Sequence, residues 1–101
     1  MKVRQFYNKN QFLIEDRGCL YLQSYDSLVA KIDNHYLTLG RDWDYSNTTR
    51  KHLYLFLDDY LFSIVGETKN KIREILSSSN NKRKDIQKLI DKKYIQYDEK
   101  L

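Results

Sequence analysis

Residues 40–54, GRDWDYSNTTRKHLY, concentrate the side chains of this sequence that could do chemistry. They contain the only tryptophan, Trp43, between Asp42 and Asp44, followed by Tyr45, a Ser-Asn-Thr-Thr run and a histidine. Paired carboxylates and hydroxyls could bind a cation, move a proton or cap a helix, whereas Trp and Tyr are enriched at binding hot spots. The stretch is therefore either a functional site or the junction before a helix.

The spacing of the ligand-type residues does not favour a metal site. His52 has no second ligand three or four residues away, and His35 lies in a predicted turn. The two aspartates of the stretch resemble the start of a calcium loop, but Asn47 and Leu53 occupy the places where that loop needs glycine and glutamate. We predict no metal and no cofactor.

Nucleophilic catalysis lacks its usual signatures as well. No serine stands in a strand-turn-helix glycine elbow, and the three scattered glycines cannot form a phosphate-cradling loop. Cys19, the single cysteine, lies among Leu20, Tyr21 and Leu22 and has the pattern of a buried strand residue with no base beside it. We therefore expect no catalytic residues and no enzyme.

A structural interpretation accounts for residues 40–54 without catalysis. Gly40 ends a strand, Ser46 or Asn47 caps the following helix, and negative charge just before a helix is stabilising by about 0.3–1 kcal/mol. The exposure of Trp43 and Tyr45 decides between the two interpretations. If these side chains are buried, they anchor the helix, and if they are exposed, they mark a partner-binding site. The candidate partner-binding residues are Asp42, Trp43, Asp44 and Tyr45.

The elements that must position these residues begin with a predicted sheet over residues 1–40. Short segments rich in β-forming residues, KVRQFYN, QFLIED, CLYLQSY, SLVAKID and YLTLG, alternate with polar turns. The predicted turns are NKN at 8–10, RG at 17–18 and DNH at 33–35. Connections this short allow only antiparallel pairing, so we predict an antiparallel sheet of four to five strands.

Helical periodicity replaces the strand pattern from residue 46. Apolar residues at spacings of three and four predict a long amphipathic helix at 47–65 that packs on the sheet and ends at Gly66. Two short helices follow, one from near Glu67 or Thr68 and one after the polar turn at 77–81, and then a terminal strand or tail. The order of elements predicts one α+β domain over residues 1–101.

The positive charge of the chain is concentrated at its C-terminal end. The formal net charge is +4, and residues 67–101 carry ten basic and six acidic residues, so this basic helical part holds the whole excess. Its helix-turn-helix order followed by a strand is similar to half of a winged helix-turn-helix, which favours nucleic-acid binding as one alternative. The candidate nucleic-acid-binding residues are Lys82, Arg83, Lys84, Gln87 and Lys88.

Other features bear on location and assembly. Early charges interrupt any signal peptide, and no run approaches the roughly 20 apolar residues of a membrane span, so we expect a cytoplasmic protein with no membrane partner. Leu55 and Phe62 lie away from the main apolar stripe of the long helix. With an uncovered sheet edge, they could support a homodimer.

The strings QSYDSLVA, LTLGRDWDYSNTTRKHLYLFL and IQKLIDKKYIQYDE carry a resemblance. The sequence resembles a group of small uncharacterised proteins of bacteriophages and mobile elements of low-GC gut bacteria, and WDYS-x-TT-x-K-x-LY is its most specific part. The group has no established activity. The resemblance implies a phage or mobile-element origin and location in the cytoplasm of an infected bacterial host.

These observations lead to two hypotheses. The first is a small non-enzymatic phage-type protein that binds a host protein or a protein–nucleic-acid assembly, including an inhibitor of a host defence system such as CRISPR. A DNA-mimic strategy does not fit, because mimicry needs a strongly negative surface. The alternative is a nucleic-acid-binding accessory or regulatory protein that uses the basic C-terminal helices.

Overall fold

The computed structural model describes residues 2–33, 36–79 and 81–101. It is an α+β fold, as predicted, with six strands in one sheet of order β1-β2-β3-β4-β5-β6. The strands are β1 (Lys2–Phe6), β2 (Asn8–Asp16), β3 (Cys19–Ser24), β4 (Ser27–Asp33), β5 (Tyr36–Leu39) and β6 (Gln96–Tyr97). The α-helices are α1 (Asn47–Val65), α2 (Lys69–Leu76) and α3 (Lys82–Asp91), and a 3-10 helix at Arg41–Asp44 precedes α1.

The first five strands pair antiparallel in chain order. This confirms the predicted antiparallel sheet of four to five strands, with five as the number. The chain then leaves the sheet for all three α-helices. It returns as the two-residue strand β6, which pairs parallel to β5. A parallel pair requires a long crossover, and the helical segment supplies it.

One predicted turn is wrong. The NKN segment at 8–10 belongs to β2, and the chain turns one residue earlier, at Tyr7, which has a positive φ of 61°. Phe6 and Asn8 pair across it, next to a register shift after Gln5. Tyrosine is not among the residues that favour turns, so the sequence pointed to the polar NKN run rather than to Tyr7 as the turn. The turn predicted at 33–35 includes Asn34 and His35, which lie outside the described residues.

The helix boundaries follow the capping residues. Ser46 accepts a hydrogen bond from the amide of Thr49 at 3.1 Å, and the left-handed Gly66 ends α1, as the sequence predicts. Thr68 caps α2 and Asn81 caps α3 in the same way. Each cap satisfies an amide that has no partner inside its helix, so these positions fix where the helices begin.

Helix α1 is the middle layer of the protein. It contacts β3, β4 and β5, and it also contacts α2 and α3, which pack on each other. Its fully buried apolar side chains are Leu53, Phe56, Leu57 and Leu61. The prediction of a long helix on the sheet is confirmed, but α1 is buried on more than the one predicted stripe. Phe62, one of the two residues that suggested a dimer, packs against the core, and Leu55 is half-buried.

Candidate functional site

The structure separates the two aromatic residues of the WDYS segment. Trp43 lies in the 3-10 helix, is 7% exposed and belongs to the core. Tyr45, two residues later, is 81% exposed. Trp43 is therefore an anchor for the start of α1, and of the two aromatics only Tyr45 can be reached by a partner.

The two aspartates of this segment are both half-buried and differ in their contacts. Asp44 accepts a hydrogen bond from Arg50 of α1 at 2.5 Å with one carboxylate oxygen, and its other oxygen forms an ion pair with Nε of Arg83 of α3 at 2.7 Å. Asp42 is half-buried, and its backbone carbonyl accepts from the amide of Tyr45 at 3.1 Å. Asp44 thus connects three helical elements, and it is held by arginines of its own chain.

A buried polar cluster lies between the sheet and α1. The Oγ of Ser24 lies 2.7 Å from Nδ1 of His52, and Nε2 of Gln11 donates to the carbonyl of His52 at 2.9 Å. Burial, and secondarily the charge of Lys51, lowers the pKa of His52. Ser24 is 2% exposed and His52 3%, so this serine-histidine pair is enclosed. The neutral imidazole is the stable form here.

Sequence analysis did not find this cluster. Gln11 and Ser24 are polar residues at inward positions of predicted strands, and His52 stands on the buried face of a helix. A polar residue at a core position is a signal that a partner must exist, because an unpaired buried polar group is costly. Its partner could not be named, since the two contacts join residues 28 and 41 positions apart.

A pocket of about 380 Å³ opens beside the start of α1. Tyr25 and Tyr45 are its two large side chains, and Tyr25 also stacks on His52 with ring centroids 6.1 Å apart. The remaining lining residues carry hydroxyl groups: Ser24, Ser27, Ser46, Thr48 and Thr49. Tyr45, the exposed tyrosine of the WDYS segment, therefore lines a pocket whose other small side chains carry hydroxyl groups.

Most of the candidate nucleic-acid-binding side chains of α3 have partners inside the protein. Arg83 forms an ion pair with Asp44 at 2.7 Å, Gln87 donates to Asp91 at 3.1 Å, and Lys88 donates to Ser78 at 2.9 Å. The ammonium of Lys82 lies 5.8 Å from the centre of the Tyr54 ring. Lys84 is exposed. These cations share one helix, but several of their contacts are internal.

Asp85, which weakens the positive field of α3 in the sequence, has a structural role. It is 1% exposed, and one of its oxygens accepts from the hydroxyl of Ser78 and from the amide and hydroxyl of Ser79. The terminal strand that resembled part of a wing pairs with β5 of the main sheet.

A second pocket, of about 450 Å³, lies where α1 and α3 begin. Its charged lining consists of Arg50, Lys82 and Arg83, and its amide lining of Asn47 and Asn81. The sequence placed two of these cations on α3, but it could not bring Arg50 of α1 to them. That juxtaposition depends on the packing of α3 against α1.

The outer face of the sheet carries apolar side chains among polar ones. Leu13 and Leu22 lie opposite each other and are buried on the side of α1. Side chains alternate between the two faces of a strand, so their neighbours project from the opposite face. On that opposite face, Ile14 lies between Val3 and Tyr21 of the two neighbouring strands. In the next row of side chains, Gln23 lies between Phe12 and Leu28. We call this surface the outer sheet face: Val3, Phe12, Ile14, Tyr21 and Leu28.

The outer sheet face is open to solvent to different degrees. Val3 is 56% exposed and Leu28 38%, whereas Phe12, Ile14 and Tyr21 are half-buried by their neighbours. Helices α2 and α3 pack on α1 and on each other. The helices therefore shield the inner face of the sheet, and the apolar residues of the outer face remain accessible.

Two further observations concern metals and membranes. Among the residues that the structure describes, no group of three or more His, Cys, Asp and Glu side chains could hold a metal ion. Within residues 2–33, 36–79 and 81–101, no helix combines the length and the apolar content that a membrane crossing needs.

Comparison with known proteins places most of this chain in a family. A family model described as a family of unknown function, DUF8033, matches residues 1–74. These residues include β1–β5, the 3-10 helix, α1 and most of α2, and hence the polar cluster and the outer sheet face. Searches of curated proteins and of solved structures found no match.

Proposed function

This chain belongs to DUF8033, a family of unknown function, and we propose that it is a non-enzymatic binding protein whose outer sheet face receives another protein. The observation that carries the proposal is the open sheet face opposite the helices. On it Val3, Ile14 and Tyr21 adjoin in register on three strands, and Phe12 and Leu28 lie on either side of Gln23. Contiguous apolar surface that stays exposed on a folded protein is typical of an interaction site.

The charges around the outer sheet face support a protein as the occupant. Lys31, which pairs with Tyr21, has its ammonium 5.9 Å from the centre of that ring and 4.0 Å from the carboxylate of Asp33. Its positive charge is therefore balanced within the face. A nucleic acid would need an excess of cations, whereas a protein with an apolar patch needs apolar surface and a polar rim of both signs.

The resemblance to phage and mobile-element proteins makes a bacterial host protein the expected partner. Binding would take place in the cytoplasm of that host and would act by occluding a surface, which includes inhibition of a defence system such as CRISPR. Tyr45 adds a second contact point, because exposed tyrosines offer large contact area at small entropic cost.

The test replaces apolar residues of the outer sheet face without disturbing its strands. In the double variant Ile14→Thr with Leu28→Thr, the β-branched threonines keep strand preference and remove apolar surface. Gln5→Thr, on the same face and paired with Phe12, is the matched control. Each protein is immobilised and exposed to host lysate, and its molar mass in solution is measured by light scattering.

We expect the wild type and the control to retain one specific protein that the double variant loses, with all three proteins equally stable to heat. Retention of the same protein by the double variant would contradict the proposal. A doubled molar mass of the wild type that the double variant abolishes would identify a second copy of the chain as the occupant and contradict the assignment of a host protein.

Nucleic-acid binding is the second candidate function. It is favoured by one observation, the presence of Arg50, Lys82 and Arg83 around a single pocket. Asp44 balances part of that charge, and Lys88 is bonded within the protein. The cations left to contact an extended phosphate backbone are therefore few, which places this function second.

A further inference from the structure

We propose that the pocket between the beginnings of α1 and α3 binds a phosphate group. This inference is independent of the outer sheet face, because no residue of that face lines the pocket. Its positive side chains come from two helices: Arg50 from α1, and Lys82 and Arg83 from α3. Three cations that line a cavity of about 450 Å³ give it an affinity for anions.

The position of the Asp44 carboxylate shows how Arg50 and Arg83 can hold an oxyanion. Its carboxylate lies between the two arginines, with one oxygen 2.5 Å from Arg50 and the other 2.7 Å from Arg83. The protein thus already holds an anionic group between these guanidinium groups. A single carboxylate balances one of the three positive charges, so the pocket keeps an excess of positive charge for a ligand.

Arg83 offers donors that a ligand can reach. Arg83 forms its ion pair with Asp44 through Nε and its side chain is 67% exposed, so its terminal N–H groups are accessible from solvent. Arg50 is more enclosed and also donates to the side chain of Asn47. Lys82 also lines the pocket and adds positive charge to it, while its ammonium lies 5.8 Å from the centre of the Tyr54 ring. Arginine forks together with a lysine suit phosphate, which offers several acceptor oxygens on one group.

The amide side chains and the helix ends complete the environment. Asn81 uses its carbonyl oxygen to cap the amide of Lys84, so its NH₂ group is the part left to donate into the pocket. Both α1 and α3 begin here, and their dipoles add a smaller positive potential to that of the cations. Three cations suffice for one phosphate group, and the inferred ligand is free phosphate or a nucleoside monophosphate.

The experiment is a titration of the full chain with sodium phosphate, followed by amide and arginine NMR signals at constant ionic strength set with sodium chloride. We expect saturable changes that are largest at residues 47, 50 and 81–83. Arg83→Gln and Lys82→Gln should each weaken binding about five- to tenfold, because each removes a charged donor in a partly screened site. Lys92→Gln is the control, since it removes one exposed charge just past the end of α3, about 15 Å from the start of that helix.

Asp44→Asn gives the sharpest test. It removes the competing carboxylate and keeps the side-chain shape, so the affinity for phosphate should rise severalfold. If the arginines serve only to hold Asp44, the variant is less stable and still does not bind phosphate. Lys82→Gln provides the second measurement should Asp44→Asn fold poorly, because Lys82 is exposed and its ammonium lies over the face of the Tyr54 ring.

Several results would overturn the proposal. These are the absence of saturable changes, equal changes with chloride alone, or equal weakening by Lys92→Gln and Arg83→Gln. A parallel titration with a nucleoside monophosphate distinguishes the sources of the ligand. Tighter binding than that of inorganic phosphate identifies a nucleotide, and equal or weaker binding identifies free phosphate. Either result supports a phosphate site.

Discussion

The Oγ of Ser24 lies 2.7 Å from Nδ1 of His52, and this contact joins the end of β3 to α1 inside the protein. A second contact, from the amide of Gln11 to the carbonyl of His52, joins β2 to the same turn of α1. Together they place a specific polar link in the buried part of the interface between the sheet and α1. Such a link fixes the position of α1 on the sheet more narrowly than apolar packing does.

The first prediction concerns pH. Burial lowers the pKa of His52 in the folded protein, with a smaller contribution from Lys51, while the unfolded chain keeps the ordinary value of 6.5. The unfolded state therefore takes up a proton first. The stability that depends on neutral His52 is fully present above the unfolded pKa and is lost as pH falls from there through the folded pKa.

Chemical denaturation at a series of values between about pH 7.5 and pH 5.5 measures this loss, since histidine titrates in that window. His52→Gln should be less stable at neutral pH and should flatten the dependence on pH. His35→Gln tests the contribution of the other histidine in the sequence. A wild-type stability that does not change over this window would show that His52 is not held neutral by the fold.

The second prediction concerns the partner of His52. Ser24→Ala removes the hydroxyl and leaves Nδ1 of a histidine that is 3% exposed without its bond, at a cost of about 1–3 kcal/mol in the free energy of unfolding. Ser63→Ala, which removes an exposed hydroxyl that bonds its own helix, is the matched control and should cost much less. Equal costs for the two variants would mean that the buried contact adds nothing to stability.

Local signals predicted the helices well because the determining groups are adjacent in sequence. Ser46 marks the start of α1 and Gly66 its end, through contacts within a few residues. Thr68 and Asn81 mark the starts of the two helices that follow. The alternation of side chains in the strands likewise reflects their immediate neighbours. The turn at Tyr7 was missed because its positive φ follows from the pairing of β1 with β2, which a local polar run does not encode.

The candidate sites depend on contacts between residues distant in the chain. Sequence analysis identified the WDYS segment and the basic residues of α3. It could not show that Trp43 enters the core while Tyr45 faces solvent, or that Arg50 meets Arg83 around Asp44. The parallel pairing of β6 with β5 is equally non-local. Each of these features is set by how α1 packs between the sheet and the later helices.

The third prediction separates anchor from surface within the WDYS segment. Trp43→Ala should destabilise the protein by about 3–5 kcal/mol, because it empties part of the core. Tyr45→Ala should change stability by less than about 0.5 kcal/mol, because the ring is largely in solvent. Thermal or denaturant unfolding of both variants measures the difference.

The affinity of the Tyr45→Ala variant for a partner completes the comparison of Trp43 with Tyr45. If Tyr45 contributes to the interface, Tyr45→Ala lowers affinity for the protein captured in the lysate experiment while its stability is unchanged. Tyr36→Ala, which removes a tyrosine that is 58% exposed outside the WDYS segment, is the control for loss of aromatic surface. Equal affinity of Tyr45→Ala and wild type would exclude the WDYS segment from the contact.

The last prediction concerns the response of any nucleic-acid complex to salt. Each phosphate that a protein cation neutralises adds about 0.7–0.9 to the slope of log affinity against log salt, so the three cations of the α1–α3 pocket predict a slope of only about 2–3. A gel-shift series with single- and double-stranded oligonucleotides at two salt concentrations measures it, and weak complexes at low salt should be absent at physiological salt. The triple variant with Lys82, Arg83 and Lys84 changed to Gln should remove them, whereas Ile14→Thr with Leu28→Thr should not. A slope above about 5 would require a larger basic surface, and nucleic-acid binding would then replace protein binding as the better account of this fold.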